Sequence, residues 1–339
     1  MNLPWKKKGI ELTAPLTEDV DDVIKFIDEY LAPRGVNLIV MQIRYRYQFR
    51  RHPECCGYDP LSEKDVKRLV AVCRKHNIEL IPKMNLCDHQ SGLPANPTDG
   101  ILHGHTNPEP MPDIKDGLLR AYPEFDELQH EPGVFYSRSI CLSNPVAKIV
   151  VFELIDEMME AFETDTIHIA CDEVINLGKC PICAKVPKAK LYADWVNSIN
   201  EHVQSRGGKI MMWGDRLTAV KDTGYNNWES SDVGTEEAMH LISKDVIICD
   251  WHYEADEEFR SVDLFAEAGF RILICPWKVT ENAERFIKYA IAHDKGHIDG
   301  LLATTWCNAG ELARKLLYNA PCKGVNTEQI AATLAVLLS

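Results

Sequence analysis

The chain reads as an α/β protein, a (β/α)8 or TIM barrel in a single domain. Eight short apolar or β-branched runs recur along its 339 residues. Amphipathic stretches separate most of them, with apolar residues at the spacing of a helix that buries one face. Alternation of that kind builds a parallel sheet covered by helices, and eight rounds of it close a barrel. A doubly wound open sheet is the competing fold. It would place a glycine-rich turn after the first strand, where Leu12-Thr13-Ala14-Pro15 stands instead.

The expected strands are 9–12, 37–45, 78–85, 166–171, 209–213, 246–251, 271–277 and 300–306. Helices between them have legible starts. Thr17 precedes Val20, Val23, Ile24, Ile27, Tyr30 and Leu31, which share one helical face. Ser62 and Asp65 form a capping-box pattern before Val66, Leu69, Val70 and Cys73. Asn144-Pro145 opens a helix toward Phe162, with proline in the first turn. Stretches 188–206, 259–268 and 281–292 supply more. The connection from Cys87 to Ser143 is long, rich in Pro, Gly, His and Asp, and has little periodicity. Long connections of this kind in compact domains are usually functional or disordered, and here the loop follows the third strand. In a barrel it lies on the C-terminal face, where such folds build their sites.

Composition narrows the class. Hydrophobic residues make up 45% and charged residues 26%, the values of a well-cored protein. A formal charge of −14, from Lys+Arg 37 and Asp+Glu 51, argues against nucleic acid as a partner, since phosphate contacts need basic clusters. Runs such as Leu38 to Met41 are far too short to span a membrane. Twelve cysteines are too few for a disulfide scaffold of this length, and Cys249 and Cys275 sit inside apolar runs as small hydrophobes. No apolar stretch follows the basic residues Lys6, Lys7 and Lys8, so the chain as written is expected in the cytoplasm; a chain whose signal peptide had been removed would read the same. Oligomeric state leaves no mark on the sequence.

The sharpest local feature is His168-Ile169-Ala170-Cys171-Asp172-Glu173-Val174, an apolar strand running into two adjacent carboxylates. Two readings are open: a solvated strand end with a helix-capping aspartate, or a buried pair held there for chemistry. Trp213, Trp251, Trp277 and Trp306 end the last four expected strands, so in a barrel they converge on one mouth. Indole faces at that position suit the apolar side of a sugar ring, whereas a lone tryptophan usually just packs under a loop. Polar companions at the same level are Asp88, His89, Asp215, Asp250, Tyr253 and Asn308. Cys180-Pro181-Ile182-Cys183 is a C-x-x-C without a second pair at the spacing of a complete zinc site. Cys55-Cys56 follows the second strand on the same face and would supply the other two sulfurs of a four-sulfur site, but the expectation is no metal and no cofactor.

On these residues the chain resembles glycoside hydrolase family 20, the β-N-acetylhexosaminidases. Leu142-Ser143-Asn144-Pro145 through Phe162, and then 168–174, are similar to the family's barrel, whose motif reads roughly His-Ile-Gly-Gly-Asp-Glu-Val. Met212-Trp213-Gly214-Asp215 and Thr305-Trp306 match tryptophan positions of the family. The resemblance takes in the whole chain, 1–339, as one catalytic barrel without the accessory domain that often precedes it. It implies an exo-acting, retaining, substrate-assisted glycosidase for glycans carrying an N-acetylhexosamine. Asp172 would orient the 2-acetamido group and Glu173 would be general acid, then base. His89, His168, Trp213, Asp215, Trp251, Tyr253, Trp277, Trp306 and Asn308 would bind the sugar.

Departures fall on sugar recognition. The family's first-strand arginine has no counterpart in Gly9-Ile10-Glu11-Leu12-Thr13. Its strand-seven Tyr-Leu-Asp reads Cys275-Pro276-Trp277-Lys278, with Tyr253 the substitute tyrosine from the neighbouring strand. The acid after the last tryptophan is Asn308, with Glu311 nearby. The alternative function is therefore a catalytically weak or inactive carbohydrate-binding barrel. A third reading is a metal-dependent hydrolase using His89, His168 and the cysteines.

Overall fold

β1 (Lys7–Thr13) pairs in parallel with β2 (Leu38–Gln42), and the order continues through β3 (Glu79–Lys83), β4 (Thr166–His168), β5 (Lys209–Trp213), β6 (Ile247–Trp251), β7 (Arg271–Cys275) and β8 (Ile298–Ala303). β8 returns to pair with β1, so the sheet is a closed eight-stranded parallel barrel. The structure is a computed structural model and describes residues 3–90, 117–127, 138–254, 256–324 and 326–339. Gly300 marks the closure, because a Cβ there would collide with the Lys7 carbonyl across the last seam.

The principal described helices are α1 (Val20–Phe26), α2 (Glu63–Lys75), α3 (Pro145–Ala161), α4 (Lys188–Gln204), α5 (Arg260–Glu267), α6 (Thr280–His293), α7 (Ala309–Tyr318) and α8 (Thr327–Leu337). Two of the anticipated caps are formed. Ser62 Oγ accepts from the Asp65 amide at 3.2 Å, and Asp65 reaches back to the Ser62 amide at 3.1 Å. Asn144 Oδ1 accepts from the Val146 and Ala147 amides ahead of α3. No described helix is long and apolar enough to cross a membrane.

Side-chain parity on the strands decides what enters the barrel. Ile39, Met41, Ile210, Met212, Ile272 and Ile274 face the helices in the main core. Leu38, Val40, Met211, Trp213, Cys249, Trp251, Leu273 and Cys275 face the lumen in a second cluster. Both faces are buried, as a barrel strand requires. Trp213 and Trp251 thus point inward because they lie two residues beyond Met211 and Cys249.

Several strands stop short of their expected ends, β2 at Gln42, β3 at Lys83 and β7 at Cys275 among them. β4 stops at His168, short of residue 171, because Ala170 and Cys171 take left-handed φ values of 55° and 63° that end the ladder. β8 starts and ends earlier than expected, and Trp306 beyond it has φ 42°. Between β5 and β6 the long connection carries only short helical turns, Val220–Thr223 among them. It folds around the buried Arg216 instead, whose guanidinium donates to the carbonyls of Asn227, Trp228 and Ser230. Of the loop after β3, residues 91–116 and 128–137 lie outside the described residues.

Candidate active site

The loops after β3 and β4 bring His89 between the two carboxylates. His89 Nε2 lies 3.4 Å from Asp172 Oδ2 and 3.3 Å from Glu173 Oε2. All three side chains are largely buried, at 17%, 8% and 14% exposure. Burial alone would push the His89 imidazole down, but Asp172 and Glu173 outweigh it and hold it up at about 10. Burial works in the opposite direction on Asp172, and there the facing His89 charge, with Lys83 behind, keeps the carboxyl below its ordinary range. At neutral pH the site therefore holds an imidazolium against an ionised Asp172.

The backbone around this pair is strained. Ala170, Cys171, Glu173 and His89 all have positive φ, between 50° and 63°. The family motif has Gly-Gly where Ala170 and Cys171 stand, and glycine adopts this conformation without cost. Surrounding contacts hold the turn in place. Asp215 Oδ2 accepts from the Glu173 amide at 2.8 Å, and the Tyr192 hydroxyl donates to the Cys171 carbonyl at 2.6 Å. Asp88 accepts from the His89 amide at 2.7 Å and the Ile175 amide at 3.0 Å, tying the two loops together. Burial raises Asp88 to about 7 and Asp215 to about 6.

The indoles form a wall. The Trp213 and Trp306 ring centroids are 5.9 Å apart, Trp251 and Tyr253 are 4.7 Å apart, and Trp306 Nε1 donates to the Tyr253 hydroxyl at 2.6 Å. Trp213, Trp251, Trp306 and Tyr253 all belong to the lumen cluster. Asp172 Oδ1, Trp213 Nε1 and His168 Nε2 are buried with no hydrogen-bond partner among the described residues. An acceptor and a donor left unpaired at one mouth are costly unless a ligand engages them.

Several expected sugar contacts have other duties. Asp215 is spent on the Glu173 amide, Arg216 Nε at 2.7 Å and Trp251 Nε1 at 3.1 Å, so it positions the site. His168 lies fully buried against Trp213, centroids 4.6 Å apart, and its Nδ1 accepts from the Ala170 amide. Burial and Lys83 keep it well below its ordinary pKa, hence neutral. Trp277 packs behind Tyr253, on the side of the main core, with Nε1 on the Thr305 carbonyl. Asn308 is the N-cap of α7, accepting from the Glu311 amide at 2.8 Å. Glu311 in turn accepts from the Lys323 and Gly324 amides. Asp250 turns away to Ser261 and His252, in a buried network with Glu229.

Sequence reasoning missed Lys83 and Glu11. Lys83 Nζ is 2.9 Å from Glu11 Oε1, both side chains fully buried, and stands over the Trp306 and Trp213 rings at 4.1 and 4.7 Å. The pair sits where the first-strand arginine is missing. The available signal was a charge at lumen parity in each of two apolar runs. The cysteines also assemble differently from expectation. Cys180 and Cys183 meet Cys141 and Glu127, not Cys55-Cys56, and not His89 or His168.

Comparison with known proteins agrees with this geometry. A lacto-N-biosidase of Bifidobacterium bifidum is 21% identical over 235 residues, covering 66% of this chain and 19% of that protein. This chain therefore spans about a fifth of that curated relative. Among solved structures, a β-N-acetylhexosaminidase from Bacteroides fragilis superposes with a TM-score of 0.65 at 13% identity, over 98% of this chain and 65% of that one. A chitobiase from Flavobacterium johnsoniae gives 0.66 at 17% identity, over 99% and 51%. At such identities these neighbours establish the barrel fold alone. The glycosyl hydrolase family 20 catalytic-domain model, however, matches residues 43–312, and on that span the chain belongs to glycosyl hydrolase family 20.

Proposed function

We propose that the chain is a β-N-acetylhexosaminidase-like glycosidase that cleaves terminal N-acetylhexosamines with retention and with help from the substrate's own acetamide. The observation that carries this reading is Asp172 Oδ1, next to Glu173, buried with no hydrogen-bond partner among the described residues. A retaining enzyme with a protein nucleophile sets its two carboxyl groups about 5–5.5 Å apart across the scissile bond, and substrate-assisted families are the exception. Neighbouring carboxyl groups, both touching His89, suit the exception, because only one has to reach the leaving group.

In the first step the acetamide carbonyl oxygen attacks the anomeric carbon while the glycosidic bond breaks. Glu173 gives its proton to the leaving oxygen. Asp172 accepts the acetamide N–H and balances the positive charge that develops on the ring formed. Water then attacks the same carbon, Glu173 takes its proton, and the acetamide is restored. Trp213, Trp251 and Trp306 would bound the sugar and exclude solvent, with Tyr253 holding Trp306 and keeping a hydroxyl proton of its own to donate. His89, Asp88 and Asp215 are positioning residues.

The engagement of Asn308 and Glu311 in backbone bonds favours the second reading, a carbohydrate-binding barrel with little turnover. Hydrolysis of an aryl β-N-acetylglucosaminide or galactosaminide, with no cleavage of the matching aryl β-glucoside, supports the proposal. Equal cleavage of both sinks acetamide assistance. Binding of the amino sugar without turnover of any aryl glycoside selects the second reading.

A further inference from the structure

Outside the catalytic pair, one cluster has the chemistry of a metal centre. Cys141, Cys180, Cys183 and Glu127 each offer a ligand atom, and the four atoms lie within 4.8 Å of one another. Cys141 Sγ is 3.5 Å from both Cys180 Sγ and Cys183 Sγ. Two thiolates on a tetrahedral zinc, with Zn–S of about 2.3 Å, sit roughly 3.8 Å apart, so the sulfurs are near their places. None of the three forms a disulfide.

The surroundings are those of ligands and not of core filler. Glu127 is fully buried and has no ion-pair partner among the described residues. Its Oε1 accepts from the Lys179 and Cys180 amides at 2.7 and 3.2 Å, while Oε2 has no hydrogen-bond partner among the described residues. A carboxylate buried without a counter-charge is costly, and a cation removes the cost. The Cys183 amide donates to Cys180 Sγ at 3.3 Å, and the Ser143 hydroxyl lies 3.2 Å from Cys183 Sγ. Donors aimed at sulfur are what metal-bound thiolates use to hold orientation. Burial, with the neighbouring sulfurs, pushes the Cys141 thiol up. Burial raises Cys183 as well.

We propose that Cys141, Cys180, Cys183 and Glu127 bind one structural Zn2+, a four-ligand closed site that clamps the loop after β3 to the loop after β4. The clamp bears on the catalytic face. Ile140 donates to the Cys87 carbonyl at 2.8 Å and Gln90 to the Arg138 carbonyl at 2.9 Å, so Cys141 continues the segment that brackets His89. Cys180 and Cys183 lie on the loop that carries Asp172 and Glu173. Soft thiolates with one carboxylate select zinc over magnesium or calcium. Binding requires the three thiols to lose their protons to solvent, with no redox step.

The test is the metal content and metal affinity of the full chain, purified under reducing conditions without chelator. About one zinc per chain is expected. Co2+ added to the metal-free protein should give sulfur-to-metal charge-transfer absorption that Zn2+ abolishes. Cys180→Ser should lose both, and Ser143→Ala, which keeps all four ligands, should weaken zinc by about 10–100-fold in chelator competition. Ser143→Ala also keeps the test valid where the cysteine variant does not fold. Absence of zinc together with no Co2+ signal in reduced protein would overturn the proposal. So would a native disulfide joining Cys141 to Cys180 or Cys183 in peptide mapping of alkylated protein.

Discussion

Replacing His89 by glutamine removes a positive charge that touches both Asp172 and Glu173 while keeping a side chain of similar reach. At the 3.4 Å separation from Asp172, a unit charge pair in a site of effective dielectric near 20 is worth about 5 kcal/mol. One pKa unit corresponds to about 1.4 kcal/mol, which caps the effect between about three and four units. Opposite charges at such contact lower a carboxylate by about 1–3 units, and that range is the expected loss. The sign follows from the role of Asp172. Its folded-state pKa is depressed, so the ionised form needed for the acetamide is present above that value and lost as pH falls through it. Without the His89 charge, burial dominates and the pKa rises. The acid limb of the kcat/KM profile should therefore move about 1–3 units toward neutral pH, with a much smaller loss at the optimum. His89 has φ 60°, so the glutamine also costs roughly 1 kcal/mol of stability, and His89→Asn, which tolerates that backbone, is the companion variant. The assay is initial-rate hydrolysis of an aryl β-N-acetylglucosaminide across pH. An acid limb that stays where it is in both variants refutes the view that His89 sets the ionisation of Asp172.

Three further outcomes follow from the geometry. Lys83→Met leaves Glu11 buried without its partner and should cost about 3–5 kcal/mol in urea unfolding, most of it recovered by adding Glu11→Leu; a single-variant cost below about 0.5 kcal/mol, the level of a surface substitution, would contradict the pairing. Ala170→Gly loses a buried methyl and adds chain entropy, together about 1.5 kcal/mol in ordinary backbone. Relief of the left-handed φ of 55° returns about 1–2 kcal/mol, so near-neutral stability by thermal melting is expected, and a full loss would show the turn is unstrained. Tyr253→Phe removes the acceptor of Trp306 Nε1 and should cut kcat/KM up to about tenfold without unfolding the chain; unchanged kinetics would detach that bond from the wall.

The barrel was legible because its strands are buried on both faces and keep their parity, as in Leu38 through Met41. Asp172 and Glu173 stood out because adjacent carboxylates interrupt an apolar strand. Hidden from sequence was everything decided by long-range pairing. Lys83 and Glu11 are 72 residues apart and look like ordinary charged strand residues until the barrel places them together. Asp215 and Asn308 lie at the expected level, but their lone pairs go to the Glu173 amide, 42 residues away in sequence, and to the start of α7. Cys141 escaped notice as a lone cysteine far from the C-x-x-C, and only the return of its loop beside Cys180 reveals the cluster. The early end of β4 has the same origin, since Ala170 and Cys171 carry no glycine signal for the turn they make.

Acetamide assistance is tested most directly by isothermal titration of the protein with a thiazoline analogue of the cyclised intermediate, alongside N-acetylglucosamine. Analogues of that kind bind at least about 100-fold more tightly than substrate groups when a site is shaped for the reacting state. A preference of that size in the unaltered protein, lost in Asp172→Asn, is the expected result. Equal affinity for the two ligands, or a preference that survives Asp172→Asn, would contradict the role assigned to Asp172 and with it the mechanism.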